Sequence, residues 1–130
     1  MYKVKVSSGS PYERSIGFSR AIRVGDRVLT AGTAPVADDG STFAPGDAYS
    51  QARRCLDIIR TAIEKAGARM DDIVRTRVYL TDVSFQDEVG RAHAEYFAEI
   101  RPVATMVIVK GLVRDDWLVE IEAEGVIQAG

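Results

Sequence analysis

From Val119 to Val126 the chain alternates between two kinds of residue. Val119, Ile121 and Ala123 fall on one side, and Glu120, Glu122 and Glu124 on the other. Period two is the mark of a half-buried strand. Just upstream, Arg101 to Lys110 is a β-branched run with Pro102 at its mouth, a position where a strand needs no ladder donor. The polar connection through Asp115, Asp116 and Trp117 is short, so the two strands are expected to form an antiparallel pair. Val74, Thr76, Val78 and Leu80 alternate with Arg75, Arg77 and Tyr79 as a further strand. Met1 to Val6 alternates in the same way. Ser19 to Val24 and Arg27 to Thr33 read as a hairpin about Gly25-Asp26.

Two stretches change to helical spacing. Ala52, Cys55, Leu56, Ile59, Ile63 and Ala66 form one narrow stripe, with Asp47 as N-cap and Gly67 as the C′ residue. Phe85, Val89, Ala92, Tyr96 and Ile100 form a second, capped by Asp82 or Ser84 and closed at Arg101-Pro102. Residues 7–15 and 34–47 read as loops, the second turning at Asp38-Asp39-Gly40. The order is strands, helix, strand, helix, two strands. It predicts an α+β sandwich, with two helices on one face of a mixed sheet. The other face would then carry Arg75, Arg77 and Tyr79 beside Glu120, Glu122 and Glu124, a solvated surface of opposite-sign pairs or something more.

Composition narrows the classes. At 130 residues the chain is expected to be a single domain, 1–130. A net charge of -2 without a basic stripe argues against a nucleic-acid platform. No apolar run approaches the ~20 residues of a membrane span, and the start lacks a signal peptide's apolar core, so a cytoplasmic protein is expected. The single cysteine, Cys55, lies on the first helical stripe and reads as a small core residue rather than a nucleophile. The single histidine, His93, flanks the second stripe. It has no Cys or His partner nearby, so it reads as a packed residue and no metal site is expected.

Several motifs in order carry a family resemblance. They are Ile16-Gly17-Phe18-Ser19-Arg20, Leu29-Thr30-Ala31-Gly32-Thr33-Ala34-Pro35, Ala66-Gly67-Ala68, Val74 to Asp82, the Pro102-led strand, and the closing Val119-Glu120-Ile121-Glu122-Ala123. Together they resemble the reactive intermediate deaminase (Rid) family, also called YjgF-like or endoribonuclease L-PSP. The resemblance implies a chorismate-mutase-like (YjgF-like) sandwich and a homotrimer with a small-molecule cleft at each subunit boundary. It implies no cofactor. The charged sheet face would then line clefts or pair across subunits.

In the family's deaminases an arginine after the Pro-small dipeptide holds the carboxylate of a 2-imino or 2-enamino acid. A tyrosine near the N-terminal glycine and a glutamate on the last strand complete the site. By that resemblance Ala104 stands in the arginine's place and Phe18 in the tyrosine's, while Glu120 matches the glutamate that positions water and Gly32 the hairpin-strand glycine. Thr33, Gly90, Thr105, Met106 and Trp117 are the remaining candidate substrate contacts. Trp117 is equally a cap on the sheet end. Arg20, Arg77, Arg101 and Arg114 are candidates to replace the missing cation. The expected function is an enzyme acting on an imine, enamine or related carbonyl compound, but not a typical 2-imino acid deaminase. A non-catalytic ligand-binding or regulatory protein is the alternative. Ribonuclease activity ranks last, for want of a histidine pair or basic patch.

Overall fold

The computed structural model describes residues 3–128. Its strands are β1 (Lys3–Val6), β2 (Ala21–Val24), β3 (Arg27–Thr30), β4 (Ile73–Leu80), β5 (Val103–Ile108) and β6 (Val119–Val126). Its long helices are α1 (Ala48–Lys65) and α2 (Gln86–Phe97). The six strands form one mixed sheet in the order β1-β2-β3-β6-β4-β5, and the helices cover one face of it, as the pattern of apolar positions predicts. Met1 and Tyr2, at the start of the first expected strand, lie outside the described residues.

The expected pairing of the last two strands is wrong. β6 lies between β3 and β4, antiparallel to both. β5 pairs only with β4, in parallel. Strand, helix, strand from β4 through α2 to β5 is a crossover unit, and such a connection returns its second strand parallel to the first. The segment after β5 then crosses β4 to reach the slot where β6 inserts. Closeness in sequence had stood in for adjacency in space.

α1 forms where its stripe predicts. The Asp47 carboxylate accepts from Ser50 N at the N-terminus, and Lys65 lies in the last turn. Gly67 takes φ +91 beyond the end, a left-handed conformation that glycine adopts without a Cβ penalty. Ala52, Cys55, Leu56, Ile59, Ile63 and Ala66 are all buried. They meet Val119, Ile121 and Ala123 of β6 and Val78 and Leu80 of β4 in one core.

α2 departs in two ways. Asp82 caps a single 3-10 turn, Val83–Phe85, and α2 proper begins at Gln86. Its buried face includes Phe97, which the expected stripe omitted, while Tyr96 and Ile100 are only partly covered.

Three boundaries are shorter or different. The strands expected over 19–24 and 27–33 are Ala21–Val24 and Arg27–Thr30. Beyond Thr30 the chain leaves the ladder, and Thr33 rejoins β6 by a lone bridge to Ile121. The loop expected over 7–15 runs into a wide helical turn, Glu13–Gly17.

Candidate functional site

By register, Tyr79 lies opposite Glu120, Arg77 opposite Glu122, and Arg75 opposite Glu124. These rows share the sheet face away from the core. Arg77 Nη1 stands 3.0 Å from Glu124 Oε1 and 3.8 Å from Glu122 Oε2. The Tyr79 hydroxyl donates to Glu122, which raises the phenol's pKa. Glu120 takes no part in this network. No described cation lies within ion-pair distance of it.

Glu120 instead lies against the segment where β3 has left the ladder. Gly32 packs so closely on its carboxylate that a Cβ there would overlap Oε2. Burial raises the Glu120 pKa, the nearby Arg20 partly offsets this, and Glu122 adds to the rise. Arg20 is itself buried. Its Nη1 donates to Gly32 O at 2.8 Å and Thr33 Oγ1 at 3.3 Å. Its Nε lies 3.7 Å from Glu13 Oε2 and finds no hydrogen-bond acceptor among the described residues. Burial lowers the Arg20 pKa, and Glu13 and Glu120 oppose that. For Glu13, burial acts upward, but hydrogen bonds from Ser8 and Ser7 and the charge of Arg20 bring the carboxyl below its ordinary value. The wide turn Glu13–Gly17 thus supplies the counter-ion that lets an arginine sit beside Glu120.

Arg20, Gly32, Thr33 and Glu120 line a cavity of about 690 Å³ together with Tyr12, Phe18, Arg54, Arg114 and Trp117. Its size is that of a small-molecule site. Phe18 follows the wide turn, in extended conformation, and the Arg20 guanidinium sits 5.2 Å from its ring centroid. Trp117 is buried, meets Tyr12 edge-on at 6.4 Å, and has Arg114 5.1 Å from its ring. Its Nε1 has no acceptor among the described residues. Trp117 is therefore both a cap and a cavity wall. Fully buried Gln51 of α1 fixes this corner: its Nε2 donates to Asp116 O at 2.9 Å, and its Oε1 accepts from Leu118 N at 2.8 Å.

The other expected contacts lie elsewhere. Gly90, Ala104, Thr105 and Met106 border a hollow of about 120 Å³ with Val78 and His93. Ala104 pairs in register with Thr76, and Met106 with Val78, on the core face. Glu120 pairs with Tyr79, on the other. Within one chain, then, the nine candidates form two groups at separate hollows, with Thr105 in register with Arg77 on the outer face of β5. His93 is half-buried, with Nε2 2.8 Å from Thr76 Oγ1, and burial lowers its pKa. Cys55 lies wholly in the core, where burial drives its thiol pKa up.

Of the four arginines, Arg77 belongs to the outward ion-pair network and Arg101 borders neither space. Arg20 and Arg114 line the cavity. Sequence reading missed Tyr12 and Arg54 as wall residues. An aromatic beside Pro11 in a presumed loop was the one available signal for Tyr12.

A six-stranded mixed sheet backed by two helices, with a cavity at the start of β6, defines an α+β class. The chain belongs to the Endoribonuclease L-PSP family, whose profile matches residues 11–127. It is 41% identical over 120 residues to an uncharacterized protein of Streptomyces coelicolor, covering 92% of this chain and 89% of that one. It is 34% identical to a RutC family protein of Pyrococcus abyssi, over 82% and 83% of the two chains. Among solved structures, a Mycobacterium tuberculosis member of the YjgF/YER057c/UK114 family superposes with a TM-score of 0.88 at 44% identity, covering 97% of this chain and 100% of that one. The YjgF gene product of E. coli gives 0.83 at 30% identity, over 98% and 100%.

Proposed function

We propose that the protein is a Rid-family enzyme that hydrolyses a small imine, enamine or related carbonyl compound, with Glu120 as the group that handles water. The observation that carries this reading is the half-buried Glu120 on the wall of the large cavity, its pKa raised by burial. A carboxylate so placed is a stronger base than one in water.

For an imine, the Glu120 carboxylate accepts a proton from water as the oxygen bonds to the imine carbon, and the nitrogen takes up a proton. That proton comes from solvent; return of the proton from Glu120 to the amine then lets the carbon–nitrogen bond break as the hydroxyl releases its proton to solvent, giving ammonia and a carbonyl. The fixed donors of Arg20 hold Gly32 and Thr33, which keeps the wall beside Glu120 in place.

The complete site is formed between copies in a homotrimer. Two observations support this. The candidate residues of one chain fall into two groups, and the edge strand β5 exposes Val103, Val107 and Ile108. An exposed apolar edge is a template for another chain.

Ala104 supports the alternative, a non-catalytic binding protein. It offers no donor, and among the described residues no arginine or lysine borders its hollow. The two readings separate on turnover. Imines generated freshly by an amino acid oxidase, with ammonia release followed in native protein and in Glu120→Gln, test the enzyme directly. Turnover no faster than the uncatalysed reaction across a panel of imines and enamines would leave the binding protein. The lone histidine, hydrogen-bonded to Thr76 away from the large cavity, argues against ribonuclease chemistry. Among the described residues no helix is long and apolar enough to cross a membrane.

A further inference from the structure

Three arginines line the large cavity, and they are not equivalent. Arg20 has Glu13 as its carboxylate partner at 3.7 Å, and Arg54 has Asp38 at 3.1 Å. Arg114 has none within ion-pair distance among the described residues. Its contacts are neutral: Nη1 donates to Gly40 O at 2.9 Å and Nε to the Tyr12 hydroxyl at 3.4 Å. The guanidinium also lies 5.7 Å from the Tyr12 ring and 5.1 Å from the Trp117 ring. These contacts fix its plane and leave Nη2 without a described partner. Trp117, beside it, carries a buried Nε1–H with no acceptor among the described residues. A half-buried cation without a counter-ion, beside an unsatisfied buried donor in a cavity wall, is a site for an anion.

The geometry points to Arg114 as the anchor for a carboxylate on the ligand, with Trp117 and Tyr12 holding a flat apolar body beside it. This rests on the reading of the cavity as the site, and it narrows the substrate class. The groups around Arg114 are Tyr12, Gly40 and Trp117; those around Glu120 are Arg20 and Gly32. The two sets share no residue. The carboxylate and the reacting carbon therefore sit at separate places, and the ligand is a carbonyl or imine compound whose acid group is remote from that carbon. The anchor is also on a different segment from Ala104.

Trp117 is the sole tryptophan, so its fluorescence reports directly on this wall. The full-length protein is titrated with 3-phenylpropionate and with its neutral analogue 3-phenylpropionamide. The acid should perturb the emission and bind at least tenfold more tightly than the amide, as loss of a charge-assisted hydrogen bond requires. Added salt should weaken the acid and not the amide. Arg114→Gln should lose at least tenfold in acid affinity with amide affinity unchanged, and Glu120→Gln should bind the acid as the native chain does. Should Arg114→Gln fold poorly, Arg114→Met is titrated in its place, with the same tenfold loss in acid affinity expected and native acid affinity overturning the assignment. Equal binding of acid and amide, no response to either at millimolar concentration, or a folded Arg114→Gln with native acid affinity overturns the assignment. Glu120→Gln keeps the two questions apart: unchanged turnover there defeats the water-handling role and leaves acid binding at Arg114 to its own result.

Discussion

At the scale of single residues, Glu120 and Gly32 make one unit. Their close approach is possible only because position 32 lacks a Cβ. Gly32 is not among the residues of positive φ, so alanine is tolerated by the backbone there. The added methyl would instead push the flexible carboxylate aside. Gly32→Ala is expected to melt close to the native protein yet lose most of any Glu120-dependent turnover. A large fall in melting temperature with normal specific activity would contradict this. Glu120→Gln tests the carboxylate itself. Its folded-state pKa is raised, so the fold holds that proton more tightly than the unfolded chain does. Stability from this group is full below the ordinary value of about 4.5 and is lost as pH rises through the folded value. Glu120→Gln removes the loss, so at neutral pH the variant should be as stable as native or more so. Turnover should fall at least tenfold, since a general base contributes about 10²–10⁴. A destabilised but active variant would show that Glu120 serves the structure.

At the scale of elements, the core carries the stability and α2 carries a pH response. Ile121 is fully buried between α1 and the neighbouring strands. Ile121→Ala should cost about 2–5 kcal/mol by urea unfolding. Because His93 titrates below its ordinary 6.5 when folded, the unfolded chain takes the proton first. Its contribution is therefore intact above 6.5 and is lost as pH falls from there through the lowered value. His93→Gln should show a flatter stability profile than native between neutral and mildly acid pH, and identical slopes would refute the argument. Elements with one dry face were legible from sequence, because period then reveals type: the α1 stripe and the β6 alternation are examples, whereas the largely exposed β5 showed itself by its β-branched run. Pairing was not legible, because it depends on which slot remains open in the sheet, and β6 fills a slot between strands distant in sequence. The strand–helix–strand order of β4, α2 and β5 held the clue. For the site, Phe18, Gly32, Thr33, Trp117 and Glu120 do meet in one cavity. The part played by Arg114 could not be read from spacing, because it depends on which arginine lacks a carboxylate neighbour.

At the scale of the whole molecule, the outer face and free edge of the sheet are left to be covered. β5 is bonded on one side only, by β4. Val103, Val107 and Ile108 on it are 59%, 40% and 50% exposed in the single chain. Val103 and Val107 stand in register with Arg75 and Tyr79, so they extend the charged outer face to the edge. A second copy seated there would cover the apolar edge. The native protein is therefore expected to sediment as a trimer at micromolar concentration. Val107→Glu places a charge on the edge without touching the core. Because Val107 is exposed in the isolated chain, the substitution should change the monomer's own folding free energy by no more than about 0.5 kcal/mol. The variant should retain native circular dichroism, sediment as a smaller species, and lose turnover in proportion to the loss of trimer. A native monomer would defeat the assembly and, with it, the shared site. A Val107→Glu trimer of full activity would keep the assembly and move its interface away from β5.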